Sequence, residues 1–191
     1  GIMTYDLKNV FYLGNNHQYD GGAAASKEWI AAIDVSAYVD PISKGRTRGQ
    51  GLAIYKVHSS WQADDGGPPL ATEEAGFTMA LSVKPFTTTG DELAGEILFG
   101  DMQASNDLVI FGQQWIGCTY GGALVGNPGA QTPSVEPSEK VPYVVVRDTI
   151  FQIASTSFLT KADVQNSVRM ECAMISLDTA TLNQLLRTQT A

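Results

Sequence analysis

Apolar and polar residues alternate most clearly along "GFTMALSVKP", where Phe77, Met79, Leu81 and Val83 interleave with Thr78, Ala80, Ser82 and Lys84. A period of two gives a strand one dry face and one wet face, and Pro85 ends the run. The stretch "EWIAAIDVSAYV" (28–39) behaves alike, setting Trp29, Ala31, Ile33, Val35, Ala37 and Val39 on one side and Asp34, Ser36 and Tyr38 on the other. Its β-branched and aromatic content suits a pleated, half-buried surface. The same logic predicts strands over 5–13, 51–61, 94–99, 107–116, 143–153 and 167–177, which makes about eight in all. In the last of these Val168, Met170, Cys172 and Met174 share a face, so Cys172 is expected in the core.

Turn-forming residues punctuate the strands: "NNHQYDGG", "DPISKGRTRGQG", "ADDGGPP", "TTTGDE" and "TKADVQN". The longest breaker-rich segment, 117–142, reads as a loop held by a partner or by function, because its backbone polar groups must find water or a neighbour. Helix is scarce. "DTATLNQLLRTQ" (178–189) is the best candidate, with Asp178 or Thr179 placed to cap it and Leu182, Leu185 and Leu186 on one side. Strands and helices do not alternate, which argues against a parallel doubly wound sheet. The expected architecture is all-β: an antiparallel β-sandwich of about eight strands, jelly-roll type, with a short C-terminal helix. Residues 1–191 suit one such domain, since cutting at 117–142 would leave two half-covered sheets.

Composition adjusts this picture. Apolar residues are 43% of the chain and charged residues 17%, enough to build a core but with a surface that must rely on Thr, Ser, Gln and Asn. A neutral polar coat suits a protein that packs against copies of itself, because burying a neutral polar group costs less than burying a charge. The formal net charge of −8 argues against direct nucleic-acid binding, which draws its affinity from Lys and Arg. No run of roughly eighteen apolar residues predicts a transmembrane segment, and "GIMTYDLKNVFYL" does not read as a signal peptide, so a soluble mature chain is expected. Cys118 and Cys172 lack CxxC spacing and point neither to a zinc site nor to a disulfide scaffold; whether the two pair is left open.

Catalytic chemistry finds little footing, and no enzyme is expected. The two histidines, His17 and His58, come without GxSxG, HExxH or Cys-His signatures. His58 reads as a surface or hydrogen-bonded structural residue opposite the face of Tyr55, Val57 and Trp61. "NNHQYDGG", "ADDGGPP" and "GDE" carry oxygen ligands, yet none has the spaced ladder that surrounds a hard cation, and Asx-rich turns arise for backbone reasons. "GGAAASK" and "GRTRGQG" do not open a helix as a phosphate loop does. No catalytic residue, cofactor or metal is therefore assigned.

"SKGRTRGQG" (43–51) sets Lys44, Arg46 and Arg48 within five positions of an acidic chain. Alternate spacing puts the three on one side of an extended segment. Beside the plain reading of a solvated loop stands docking onto an acidic surface of an identical or related subunit. Phosphate binding ranks last, for want of further cations and stacking aromatics nearby.

Taken together, about eight antiparallel strands, long end loops, a neutral polar surface and no catalytic signature resemble the single jelly-roll major capsid proteins of icosahedral viruses. The resemblance spans roughly 5–177 and rests on strand number and spacing. It implies a structural subunit that self-assembles through loops and termini into an icosahedral shell, located in the virion, with Lys44, Arg46, Arg48, Leu182, Leu185 and Leu186 as interface elements. Lacking a basic N-terminal arm, the chain is more similar to the capsid proteins of tailless archaeal and bacterial viruses. That likeness implies a second capsid protein as partner and an internal membrane beneath the shell. The alternative is a β-sandwich carbohydrate-binding module stacking sugars on Trp29, Trp61, Trp115 or on tyrosines such as Tyr12 and Tyr55.

Overall fold

Alternation does produce strands, and the pattern of buried residues shows how they stack. The computed structural model describes residues 9–19, 27–40, 48–63, 75–84, 104–117, 119–120, 123–124, 129–130, 133–156 and 164–190. Within them lie β1 (Phe11–Tyr19), β2 (Lys27–Asp34), β3 (Arg48–Ala63), β4 (Ala75–Ser82), β5 (Val109–Gly117), β6 (Thr119–Tyr120), β7 (Ala123–Leu124), β8 (Gly129–Ala130), β9 (Tyr143–Val145), β10 (Thr149–Thr156), β11 (Val164–Asp178) and the helix α1 (Thr179–Thr190).

The strands form two main sheets, ordered β1-β11-β3-β9 and β2-β10-β4-β5-β8, with β6 and β7 as a separate pair. Every pairing is antiparallel. The chain crosses from one main sheet to the other between β1 and β2, β2 and β3, β3 and β4, β8 and β9, β9 and β10, and β10 and β11. This wrapping of strand pairs around two facing sheets is the jelly roll. Between the sheets Leu52, Ile54, Met79, Leu81, Phe111, Ile150, Met170 and Cys172 are fully buried. Burial pushes the Cys172 thiol up to about 12.

Several elements differ from the sequence expectation, each for a packing reason. Of the strand expected over 5–13, residues 5–8 lie outside the described residues; the strand is described over Phe11–Tyr19, so "NNHQY" is strand and not turn. Its Asn15 faces inward because Gln152 of β10 meets it with a hydrogen bond of 2.8 Å. The segment 28–39 leaves the sheet after Asp34, where Oδ1 of Asp34 accepts the Ser36 N–H at 2.9 Å and a 3₁₀ turn Ser36–Tyr38 follows. Ala37, expected on the dry side, is exposed. Tyr38 instead stacks on Phe11 with ring centroids 5.0 Å apart. The expected strand 143–153 is two strands in different sheets, β9 and β10, with the crossover at residues 146–148.

Segment 117–142 carries β6, β7 and β8, the last adding an edge to the five-stranded sheet. Within it, Val135 bridges Gly112. On the outer face of that sheet Ala80, Val109 and Ile153 form a second buried cluster with Val135 beside them, which is why Ala80, assigned to a wet face, is dry. Residues 94–99, Cys118, Lys44 and Arg46 lie outside the described residues.

A bulge shapes the other sheet. The β3–β11 register passes from Lys56 opposite Glu171 to Ile54 opposite Cys172, leaving Tyr55 over. The extra residue reverses which face of β3 is even-numbered. Ile54 and Leu52 thereby enter the core while Ala53 joins Val144, Val146, Ile175, Leu177 and Leu182 in a third buried cluster.

Candidate subunit interface

The third cluster exists because α1 folds back over the outer face of the four-stranded sheet. Asp178 caps the helix, its Oδ1 accepting the Thr181 N–H at 2.7 Å. Two glycines of β3 make the seat: a Cβ on Gly49 would stand 2.5 Å from Leu182 Cδ2, and one on Gly51 would stand 2.9 Å from Leu177 Cδ1. At the far end of α1 the buried side chain of Gln189 donates from Nε2 to the Val144 carbonyl at 2.7 Å, and its Oε1 accepts the Val146 N–H at 3.0 Å. These are the groups that an adjoining strand would take from edge strand β9. One amide therefore fixes the helix and closes that edge.

Relative to this helix the sequence-predicted interface residues fall as follows. Lys44 and Arg46 belong to the connection between β2 and β3, outside the described residues. Arg48 opens β3, where its backbone pairs with Asp178 just ahead of α1, so the basic segment leads to the end of the sheet where the helix starts. Leu182 is 5% exposed and spent on its own sheet, while Leu185 and Leu186 are half-buried against the same cluster. Of the three leucines, only Leu185 and Leu186 keep surface to offer a neighbour.

Beyond the helix the outer face of the four-stranded sheet is open and polar. Tyr12, 59% exposed, donates its hydroxyl to Glu171 Oε1 at 3.3 Å and lies under the Arg169 guanidinium at 5.1 Å. His58 Nε2 stands 3.7 Å from Glu171 Oε2, which puts this histidine on the outer surface beside a carboxylate. Asn16 Nδ2 donates to Gln165 Oε1 at 2.9 Å.

Sequence reasoning missed the polar chain inside the sandwich. Gln152 and Asn166 are both fully buried, and Gln152 Nε2 donates to Asn166 Oδ1 at 2.6 Å. Asn166 Nδ2 reaches Ser59 Oγ and Ser60 O, each at 3.2 Å, and Asn15 completes the chain from β1. The network ties the two sheets together with neutral groups, each meeting its partner. A polar residue at an inward position of a strand pattern was the only available signal. His17 shares this face of β1, and burial lowers its pKa from the ordinary value. Among the described residues no three His, Cys, Asp or Glu side chains assemble into a metal site, and no helix is long and apolar enough to cross a membrane.

Comparison with solved structures agrees with the topology. The chain is similar to the VP1 pentamer protein of Human Polyomavirus 6, with a TM-score of 0.51 and 8% identity, over 92% of this chain and 98% of that one. It is similar also to VP1 of Trichodysplasia spinulosa-associated polyomavirus, solved with sialylated glycooligomers, with a TM-score of 0.50 and 8% identity, over 93% and 99%. At such identity the likeness is one of fold: this chain has the jelly roll of these viral capsid proteins. No protein-family model matches it. No curated protein matches it by sequence.

Proposed function

We propose that this chain is a structural subunit of a viral capsid, self-assembling through its loops and termini into an icosahedral shell. The observation that carries the reading is the strand order β1-β11-β3-β9 facing β2-β10-β4-β5-β8, a jelly roll whose sheets close on one core and leave the loops at both ends free to vary. A surface low in charge supports it, because shell contacts bury much polar area and neutral groups cost least there. In this reading the Lys44, Arg46 and Arg48 segment docks on an acidic surface of a neighbouring copy, and Leu185 and Leu186 add apolar area beside it. Leu182 serves by holding α1 in place. A second capsid protein and an internal membrane, as in tailless archaeal and bacterial viruses, are further parts of the proposal.

The test is light scattering and negative-stain microscopy of the full chain across salt and pH, alone and with co-expressed neighbouring genes. Rings or closed particles are expected. Monomers under every condition would sink the reading.

A glycan-binding role is the second reading, motivated by the exposed ring of Tyr12 beside Arg169 and Glu171. A glycan array, followed by titration of wild type and Tyr12→Ala, decides it; binding that ignores the substitution removes this site.

A further inference from the structure

A sheet edge is an unfilled row of hydrogen-bonding groups, and proteins guard such rows with charge, proline, bulges or short length. Among the described residues the main sheets have four edges. On β9 the Gln189 amide takes Val144 O and Val146 N. Edge strand β8 is described over two residues. Edge strand β2 carries Lys27, Glu28 and Asp34 near its ends. Edge strand β1 has none of these guards. Its sequence, FYLGNNHQY, contains no Lys, Arg, Asp, Glu or Pro. Its register with β11 runs unbroken from Phe11 to Tyr19, without a bulge to twist it away. Among the described residues β11 is its one strand partner.

We propose that the Tyr12–Asn16 part of this edge pairs with the same segment of a second copy, joining two four-stranded sheets into one. A second copy of this chain fits as the partner because the strand carries no charge of its own, so that two molecules of net charge −8 meet along it without setting like charges face to face. In a continuous sheet, outer-face residues must oppose outer-face residues. A two-fold axis at Gly14 meets that condition: Gly14 faces Gly14, and Asn16 lies opposite Tyr12 of the second copy. Tyr12 brings the Arg169 guanidinium held over its ring and the Glu171 carboxylate that accepts from its hydroxyl. The inference deepens the shell reading and rests on it for its setting, since it names one contact from which a shell would be built.

The sign of a charge placed at residue 16 tests the geometry. In a Glu171→Gln background, which leaves the Arg169 guanidinium as the charge beside the Tyr12 ring, Asn16→Lys sets an ammonium toward Arg169 of the second copy and is expected to weaken association at least about tenfold. Asn16→Glu in the same background sets a carboxylate there and is expected to hold or tighten it. Repulsion between whole molecules predicts the reverse order, because Asn16→Glu makes an acidic chain more acidic. Both full-length double variants are compared with the Glu171→Gln parent and with wild type by light scattering over a concentration series, with circular dichroism to confirm the fold. Hydrogen exchange reads the amides of residues 12–16 in dilute and concentrated protein.

Protection of the outward amides on association, together with the predicted order of the two variants, supports the pairing. Rings or particles whose 12–16 amides exchange as in the monomer overturn it while the shell reading stands. Equal weakening by both variants also overturns it. Wild type that stays monomeric throughout overturns both.

Discussion

Gln189 occupies the open side of Val146 as a strand would: its Oε1 accepts the Val146 N–H at 3.0 Å while its Nε2 donates to the Val144 carbonyl at 2.7 Å. A residue in a parallel neighbour would bond the same two groups on either side of Val145. The helix that delivers the amide is thereby part of the sheet's hydrogen bonding and not merely a cover for its apolar face.

Replacing Gln189 by Leu keeps the bulk but strands two buried backbone groups. The expected loss is about 1–3 kcal/mol, read as a lower urea midpoint. Faster exchange of the Val146 amide should accompany it. A substitution with no effect on that amide would show the edge to be closed by something else.

Gln152 lies where two sheets meet, and Gln152→Leu would leave Asn15 and Asn166 each short of a partner. Leaving buried polar groups unsatisfied costs about 1–3 kcal/mol each. Replacing Gln152, Asn166 and Asn15 together by apolar residues should be less damaging than the sum of the single changes, because no orphan remains. Chemical denaturation of the singles and the triple measures this.

The Gly49–Leu182 contact predicts a coupled pair. Gly49→Ala forces a Cβ to within 2.5 Å of Leu182 Cδ2, an overpacking expected to cost about 1–3 kcal/mol. Leu182→Ala alone opens a cavity at a cost of about 2–5 kcal/mol. Combined, the two should cost clearly less than their sum, since each relieves the other. Simple additivity would place the helix off this seat.

His17 gives a pH dependence of known sign. Burial lowers its folded pKa below the ordinary 6.5, so the unfolded chain binds the proton more readily. Its contribution is complete above about pH 6.5 and is lost as the pH falls from there through the folded value. His17→Gln should flatten the stability profile between pH 7 and 5. An unchanged slope would assign that dependence to other groups.

Much of the fold was legible because burial on one face of a strand leaves a period of two in the chain. Met79, Leu81 and Val83, the even positions Val168, Met170 and Cys172, and the helix with Leu182 all stand as the pattern predicts. Where a residue is dry on both faces or polar within the core, the period fails. Residues Gly51–Ile54 are buried on both sides because α1 covers the second face, and Asn15, Gln152 and Asn166 are inward because they satisfy one another. Neither condition is local.

The interface candidates divide on the same ground. A cluster of basic residues can be read from spacing, but whether a leucine serves its own sheet or a neighbour depends on what lies opposite, and Gly49 settles that for Leu182. Strand and helix identity and the all-β class were thus set by side-chain periodicity, which acts over a few residues. Pairing order, the bulge at Tyr55, the crossover after β9 and the closing of its edge by Gln189 were decided only in three dimensions. They join residues far apart in the chain, and buried hydrogen-bonding groups select the arrangement in which they find partners.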